Sequence, residues 1–329
     1  FEGFMAVFNT EALQCDNTSV ETYSYLMAFQ SCDPALDCTN PMNHMVYLAG
    51  SDDGASWTLI DDFEPISGSV PGLVFYDDYL YVFHTQGNAR WQKYNACFQL
   101  AGQGDAVING DDGLNGWVDP SLIVSGEDLV LFYLPSQGIS DPAGCGGSYP
   151  CTREIHSAIA EDESLNSFAQ QTGNRASMYI ESDASEIKLF CDPDILGLSD
   201  GTYLLYVSTG GGTLVYEGTS LSQAFSIPGG GVTPVQIASV GGVPGALQAP
   251  DGSVWLYVNK NDALTMTHSI ARGISADGKT PIADDAFSVV LDYTISSAFT
   301  EQRSVGSPSV INWPGQSWSR DEPPAREGN

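Results

Sequence analysis

The chain is poor in positive charge. Its 11 Lys and Arg stand against 41 Asp and Glu, a formal net charge of -30 with a pI near 4.1. Such a field repels a phosphate backbone or an anionic lipid surface, which excludes nucleic acid as a natural partner. Long apolar runs are missing as well: none approaches the roughly 20 residues that a bilayer-spanning helix needs. Histidine is scarce, and His44, His84, His156 and His268 lie too far apart for paired metal-ligand spacing. Helix signatures are nearly absent. The glycine runs at 210–212 and 229–231 lack the Lys-Ser/Thr and following helix of a phosphate loop, so they read as turns. Phe1 opens the chain with no charged leader region before an apolar one, and the sequence therefore reads as processed or trimmed.

Cysteine, by contrast, is present seven times. Cys32 and Cys38 flank a short polar loop, and Cys145 and Cys151 flank another, so both pairs read as loop staples formed in an oxidising compartment. A secreted or cell-surface location follows from those pairs. Joining Cys15 to Cys97 leaves Cys191 free, although spacing alone does not fix connectivity. No basic residue beside Cys191 lowers its thiol pKa, which favours a buried structural role over a nucleophile.

One pattern recurs along the chain. Asp192-Pro193-Asp194-Ile195-Leu196-Gly197 leads through a tight Asp200-Gly201 turn into Tyr203-Leu204-Leu205-Tyr206, two apolar strands joined as a hairpin. Asp119-Pro120-Ser121-Leu122-Ile123 leads likewise into Leu129-Val130-Leu131-Phe132-Tyr133. Further copies begin at Pro71, Pro244 and Pro308. Their spacing of roughly 50 to 70 residues is that of propeller blades and not of helical solenoids. The predicted fold is all-β: a five-bladed β-propeller of four-stranded antiparallel blades. The first hairpin comes late in the chain and the last copy comes near its end, so N-terminal strands are expected to close the ring and remove its free edges. The expected organisation is a disulfide-stapled segment over 1–44 packed on the propeller, blades over 45–318, and a mobile tail over 319–329.

Other features offer candidate sites. Asn109, Asp111 and Asn115 place oxygen ligands at alternating positions, as calcium loops do, but without the terminal bidentate Glu of an EF-hand. The missing Glu favours reading the same residues as a plain acidic turn; calcium is the one cofactor the sequence suggests. Trp117 and four other Trp residues can stack on sugar rings or fill blade interfaces. His84 closes an inner hairpin beside aromatic neighbours.

The hairpins at Asp119-Pro120-Ser121 and Asp192-Pro193-Asp194 resemble the inner strands of five-bladed glycoside hydrolases of family 43, the arabinanase and β-xylosidase type. Ser51, Asp53, Gly54 and Trp57 in turn resemble the Asp-box turn of sialidase-like propellers. The family resemblance implies that Asp119 corresponds to the general base and Asp192 to the carboxylate that tunes and orients. The general acid is then a Glu entering the third blade. Here that blade begins Gly241-Gly242-Val243-Pro244-Gly245, with no carboxylate. Glu301, followed by Arg303, is the substitute placed in the site, with Glu181, Glu186 and Glu217 behind it. The site expected from sequence is therefore Asp119, Asp192 and Glu301, with His84, Trp117 and Arg303 contacting substrate. An Asp before Pro also has a purely structural reading, as a cap that accepts nearby amides. The partner implied is a polysaccharide or oligosaccharide, held in an axial cleft and either cleaved by inverting acid/base chemistry or only bound.

Overall fold

Runs such as Tyr79-Leu80-Tyr81-Val82-Phe83 are apolar on both faces of a strand, so both faces must be covered. The protein covers them by packing each sheet between two others. The computed structural model describes residues 23–138, 143–185, 188–262, 267–299 and 303–314. It shows a five-bladed β-propeller. Cys15, Glu186, Glu301 and the tail over 319–329 lie outside the described residues.

Blade 1 is a meander of Ser69–Tyr76, Tyr79–Gln86, Asn88–Tyr94 and Leu100–Asp105. Blade 2 comprises Trp117–Ser125, Asp128–Pro135, Cys151–Ala160 and Ser167–Gln170, with Val107–Asn109 added in parallel at its edge and Ala176–Ile180 paired to the third strand. Blade 3 runs Cys191–Gly197, Tyr203–Ser208, Thr213–Gly218 and Val235–Ala238. Blade 4 runs Gly241–Gln248, Val254–Asp262, Thr267–Ser275 and Ser288–Leu291. Blade 5 starts with the C-terminal strand Ser304–Asn312 and is completed by Tyr25–Cys32, His44–Ser51 and the two-residue strand Thr58–Leu59, with Ile66–Ser67 also paired to His44–Ser51. The expected closure by N-terminal strands is thus present: Tyr25–Cys32 pairs antiparallel with both Ser304–Asn312 and His44–Ser51. It is the second strand of that blade, inside the sheet.

The core is divided into clusters, one at each junction between blades. The period of two explains the division. In blade 1, Leu80 and Val82 face blade 5 while Tyr81 and Phe83 face blade 2. In blade 3, Leu205 and Val207 face blade 2 while Leu204 and Tyr206 face blade 4. Burying one such side chain contributes about 1.5–3 kcal/mol, so every junction is held by strands that serve two cores at once.

The outer turns dock one blade on the next. Ser51 Oγ accepts from Gly54 N at 2.9 Å, and Asp53 Oδ1 accepts from Ala55 N and Ser56 N at 2.7 Å each. The amide of Ser56 above all holds the Asp53 carboxyl down to about 2. Ser275, Asp277 and Gly278 repeat the arrangement in blade 4. In each case a buried Tyr of the preceding blade donates to the glycine carbonyl, Tyr257 to Gly54 O at 2.8 Å and Tyr206 to Gly278 O at 2.9 Å. The two expected loop staples are formed as disulfides, Cys32–Cys38 and Cys145–Cys151. Cys97 is also disulfide-bonded. Among the described residues no helix is long and apolar enough to cross a membrane.

Candidate functional site at the propeller axis

The inner strands of the five blades contact one another in a closed ring. Each enters that ring through an X-Pro step, and in all of them the residue before Pro is left-handed: φ is 48° at Val70, 60° at Asp119, 45° at Asp192, 52° at Val243 and 52° at Ser307. This backbone is uncommon outside glycine, most of all for β-branched Val. A bulge at each step sets it: the register to the second strand shifts between Ser69 and Gly72, Val118 and Ser121, Cys191 and Asp194, and Gly242 and Gly245, and the corresponding shift in blade 5 falls opposite Ala28 to Gln30. The bulge turns the side chain before Pro toward the axis, where the five X-Pro steps line one cavity.

Polar side chains of the preceding blade satisfy the displaced amides. Gln30 Oε1 accepts from Val70 N at 2.7 Å, Asn259 Oδ1 from Ser307 N at 2.7 Å, and Asp119 Oδ2 from Asp192 N at 3.3 Å. Asp119 therefore caps the next blade as Gln30 and Asn259 do, but from the innermost strand of its blade where they act from the second. A second belt lies one residue after each Pro. Ser121 Oγ accepts from Ile195 N at 3.0 Å, Asp194 Oδ2 from Ala246 N at 2.8 Å and Ser309 Oγ from Leu73 N at 2.8 Å, each bond crossing to the next blade. Where glycine takes that place, at Gly72 and Gly245, the neighbouring Pro carbonyl fills the space.

Three carboxylates meet here. Burial, then the facing Asp192 carboxylate, pushes Asp119 well above the usual carboxylate range, and burial raises Asp192 too. Asp194 is pushed up to about 7 by burial, against the lowering effect of the Ala246 amide and the Ser121 hydroxyl. The Cys191 thiol donates to Asp192 Oδ2 at 3.0 Å, and burial followed by the two neighbouring carboxylates raises its pKa, so it is an inert thiol. The cavity that Asp119, Asp192 and Asp194 line is about 20 Å³, room for roughly one water molecule.

The other residues singled out in the sequence lie elsewhere. Trp117 is buried with its ring edge-on to Tyr133, centroids 5.5 Å apart. Arg303 donates to Ser31 Oγ at 2.7 Å and Tyr47 Oη at 3.0 Å, with Phe299 against its guanidinium. His84 is buried in blade 1 and lines a groove on the flank of the propeller, not the axial cavity. Glu217 of blade 3 pairs with Lys279 in the outer turn of blade 4. Asn109 Nδ2 donates to Ser167 Oγ at 2.8 Å, and Asn115 Nδ2 donates to the carbonyl of Asp111 at 2.9 Å. Among the described residues no group of three or more His, Cys, Asp or Glu is placed to hold a metal ion.

Asp194 was not singled out from the sequence, although it stands in the same Asp-Pro-Asp step as Asp192; its position after Pro, matching Ser121 and Ser309, was the available signal. A second missed group surrounds Asp112, whose Oδ2 accepts from Tyr133 Oη and Gln170 Nε2 at 2.8 Å each and lies 2.6 Å from His156 Nδ1. Burial pulls His156 down, but hydrogen bonds and charge from Asp112 and Glu154 outweigh it and raise the imidazole. The cluster ties the short helix Asp111–Asn115 to blade 2. No sequence pattern joins 112 to 156.

No protein-family model matches the chain, and no curated protein sequence does. Solved structures are similar at the level of fold. A protein of unknown function from Dyadobacter fermentans aligns at TM-score 0.52 and 13% identity over 82% of this chain and 79% of that one. The α-L-arabinanase of Cellvibrio cellulosa aligns at TM-score 0.46 and 13% identity over 68% of this chain and 75% of that one. The GH43 protein BlXynB of Bacillus licheniformis aligns at TM-score 0.45 and 13% identity over 66% of this chain; the aligned part spans 41% of BlXynB. At such identities the likeness concerns the fold alone, the five-bladed propeller built above from the chain's own strands.

Proposed function

We propose that this protein is a secreted, noncatalytic propeller that binds glycan hydroxyls at the axial end formed by Asp119, Asp192 and Asp194. The observation that carries the reading is the meeting of these three carboxyls at one cavity, with their pKa values raised, so that a carboxyl holding its proton can donate to neutral hydroxyls while its neighbours accept from them. The two disulfides support an oxidising compartment. Cleavage is disfavoured on geometry. An inverting site separates its carboxyls by about 6.5–9.5 Å to admit water and a sugar. The axial cavity here has room for neither a ring nor a leaving group, Asp119 and Asp194 are committed to interblade amides, and Val243 of blade 4 stands where the family resemblance puts the acid.

The test replaces both Asp119 and Asp192 by Asn. Wild type is expected to release no reducing sugar from arabinan, xylan or fructan, and the double variant is expected to lose glycan-induced protection from hydrogen exchange at the strand entrances near 119 and 192 while remaining folded. Protection near 119 and 192 that survives the double substitution would reduce the Asp-Pro steps to interblade caps, and hydrolysis by wild type would overturn the noncatalytic reading.

A further inference from the structure

Blade 5 ends in very short outer strands, Thr58–Leu59 and Ile66–Ser67. They leave uncovered the side of blade 1 that faces them. Beneath lies a groove of about 780 Å³ on the flank of the propeller, within the range of roughly 300–1,000 Å³ typical of small-ligand sites. Its floor is the outer pair of blade 1, Asn88–Tyr94 and Leu100–Asp105, where Arg90 lies opposite Asp105 and Gln92 opposite Gln103. Gln86 and Gln99 add two more amides to the lining.

A second observation points to the same place. Buried polar atoms almost always have a partner. Of the nine buried side-chain nitrogen and oxygen atoms without one among the described residues, two are the ring nitrogens of His84, which lines the groove from the second strand of blade 1. A Cβ on Gly68 would stand 2.4 Å from His84 Nδ1, so the imidazole is pinned against bare backbone under the groove.

Charge narrows the ligand. Asp62, Glu64 and Asp105 stand against one guanidinium, Arg90, which is engaged by Asp105 at 3.2 Å. Burial holds His84 near 4, so it is uncharged at neutral pH. An anion is repelled, whereas carboxamides that donate and accept together match vicinal hydroxyls. We propose that this groove binds a neutral oligosaccharide laid along the outer strands of blade 1, at a site separate from the axis and independent of whether the axis binds anything.

Differential hydrogen–deuterium exchange with xylotetraose, arabinotetraose and cellotetraose tests this, on wild type, on Gln92→Ala/Gln103→Ala and on Asp119→Asn/Asp192→Asn. At least one tetraose is expected to protect amides within 86–105 of wild type. Gln92→Ala/Gln103→Ala should lose that protection and weaken binding about tenfold or more by calorimetry, with an unchanged circular dichroism spectrum. The axial variant should keep it. Protection confined to the strand entrances near 119 and 192, no protection by any tetraose, or protection at 86–105 that persists in Gln92→Ala/Gln103→Ala overturns the groove. Loss at the axis with the groove unaffected, or the reverse, tells the two sites apart.

Discussion

Asp194→Asn is expected to melt several degrees above wild type at pH 8 and level with it at pH 4. The carboxyl is half-buried at the axis and its folded pKa is about 7, against an ordinary value of 3.8. Below pH 4 both the folded and unfolded forms are protonated and the group contributes nothing to pH dependence. Between pH 4 and 7 the unfolded chain ionises while the folded one stays neutral, so stability is lost as pH rises, by up to about 4 kcal/mol at 1.36 kcal/mol per pKa unit. Asn carries no such loss: its oxygen can accept from Ala246 N while its amide donates to Ser121 Oγ, keeping both interblade bonds. Thermal melts across this pH range are the measurement. A difference between the proteins that stays constant from pH 4 to 8 would mean that Asp194 ionises in the fold as freely as in the unfolded chain.

Gly245→Ala is expected to destabilise the protein by about 1–3 kcal/mol, the usual cost of overpacking, with Gly72→Ala close to it. The added methyl would sit 2.4 Å from Pro308 O at Gly245 and 2.5 Å from Pro120 O at Gly72, in both cases against backbone that cannot rotate away. Both positions lie where Ser121, Asp194 and Ser309 stand in the other blades, so the penalty falls on the contact between neighbouring inner strands. Gly211→Ala, where an added methyl meets nothing within 4 Å, is the control and should stay within about 0.5 kcal/mol of wild type. Urea midpoints decide. An unshifted midpoint for Gly245→Ala would show that the inner strands are less tightly apposed than described.

The fold was legible because its signal is local and repeated. An apolar run such as Leu129-Val130-Leu131-Phe132-Tyr133 states by itself that both faces are buried, and its recurrence at blade spacing gives the number of blades. The site was only half legible. Asp119 and Asp192 stand out because they precede Pro, yet that pattern cannot distinguish a catalytic carboxylate from one that caps an amide of the next blade, as Gln30 and Asn259 do from strands with no such motif. Asp112 and His156, 44 residues apart, give no periodic signal at all.

The sequence by itself determined the all-β class, the five inner hairpins, the closing role of the N-terminal strands and the two short staples, since each depends on side-chain period, turn chemistry or cysteines close along the chain. Only the tertiary structure decided that the residue before each Pro is left-handed, that Asp194 joins the axial pair, and that His84 faces a flank groove. Those outcomes depend on which blade lies beside which and on how short the outer strands of blade 5 are, and burial and facing charge act through space between residues that the chain holds far apart.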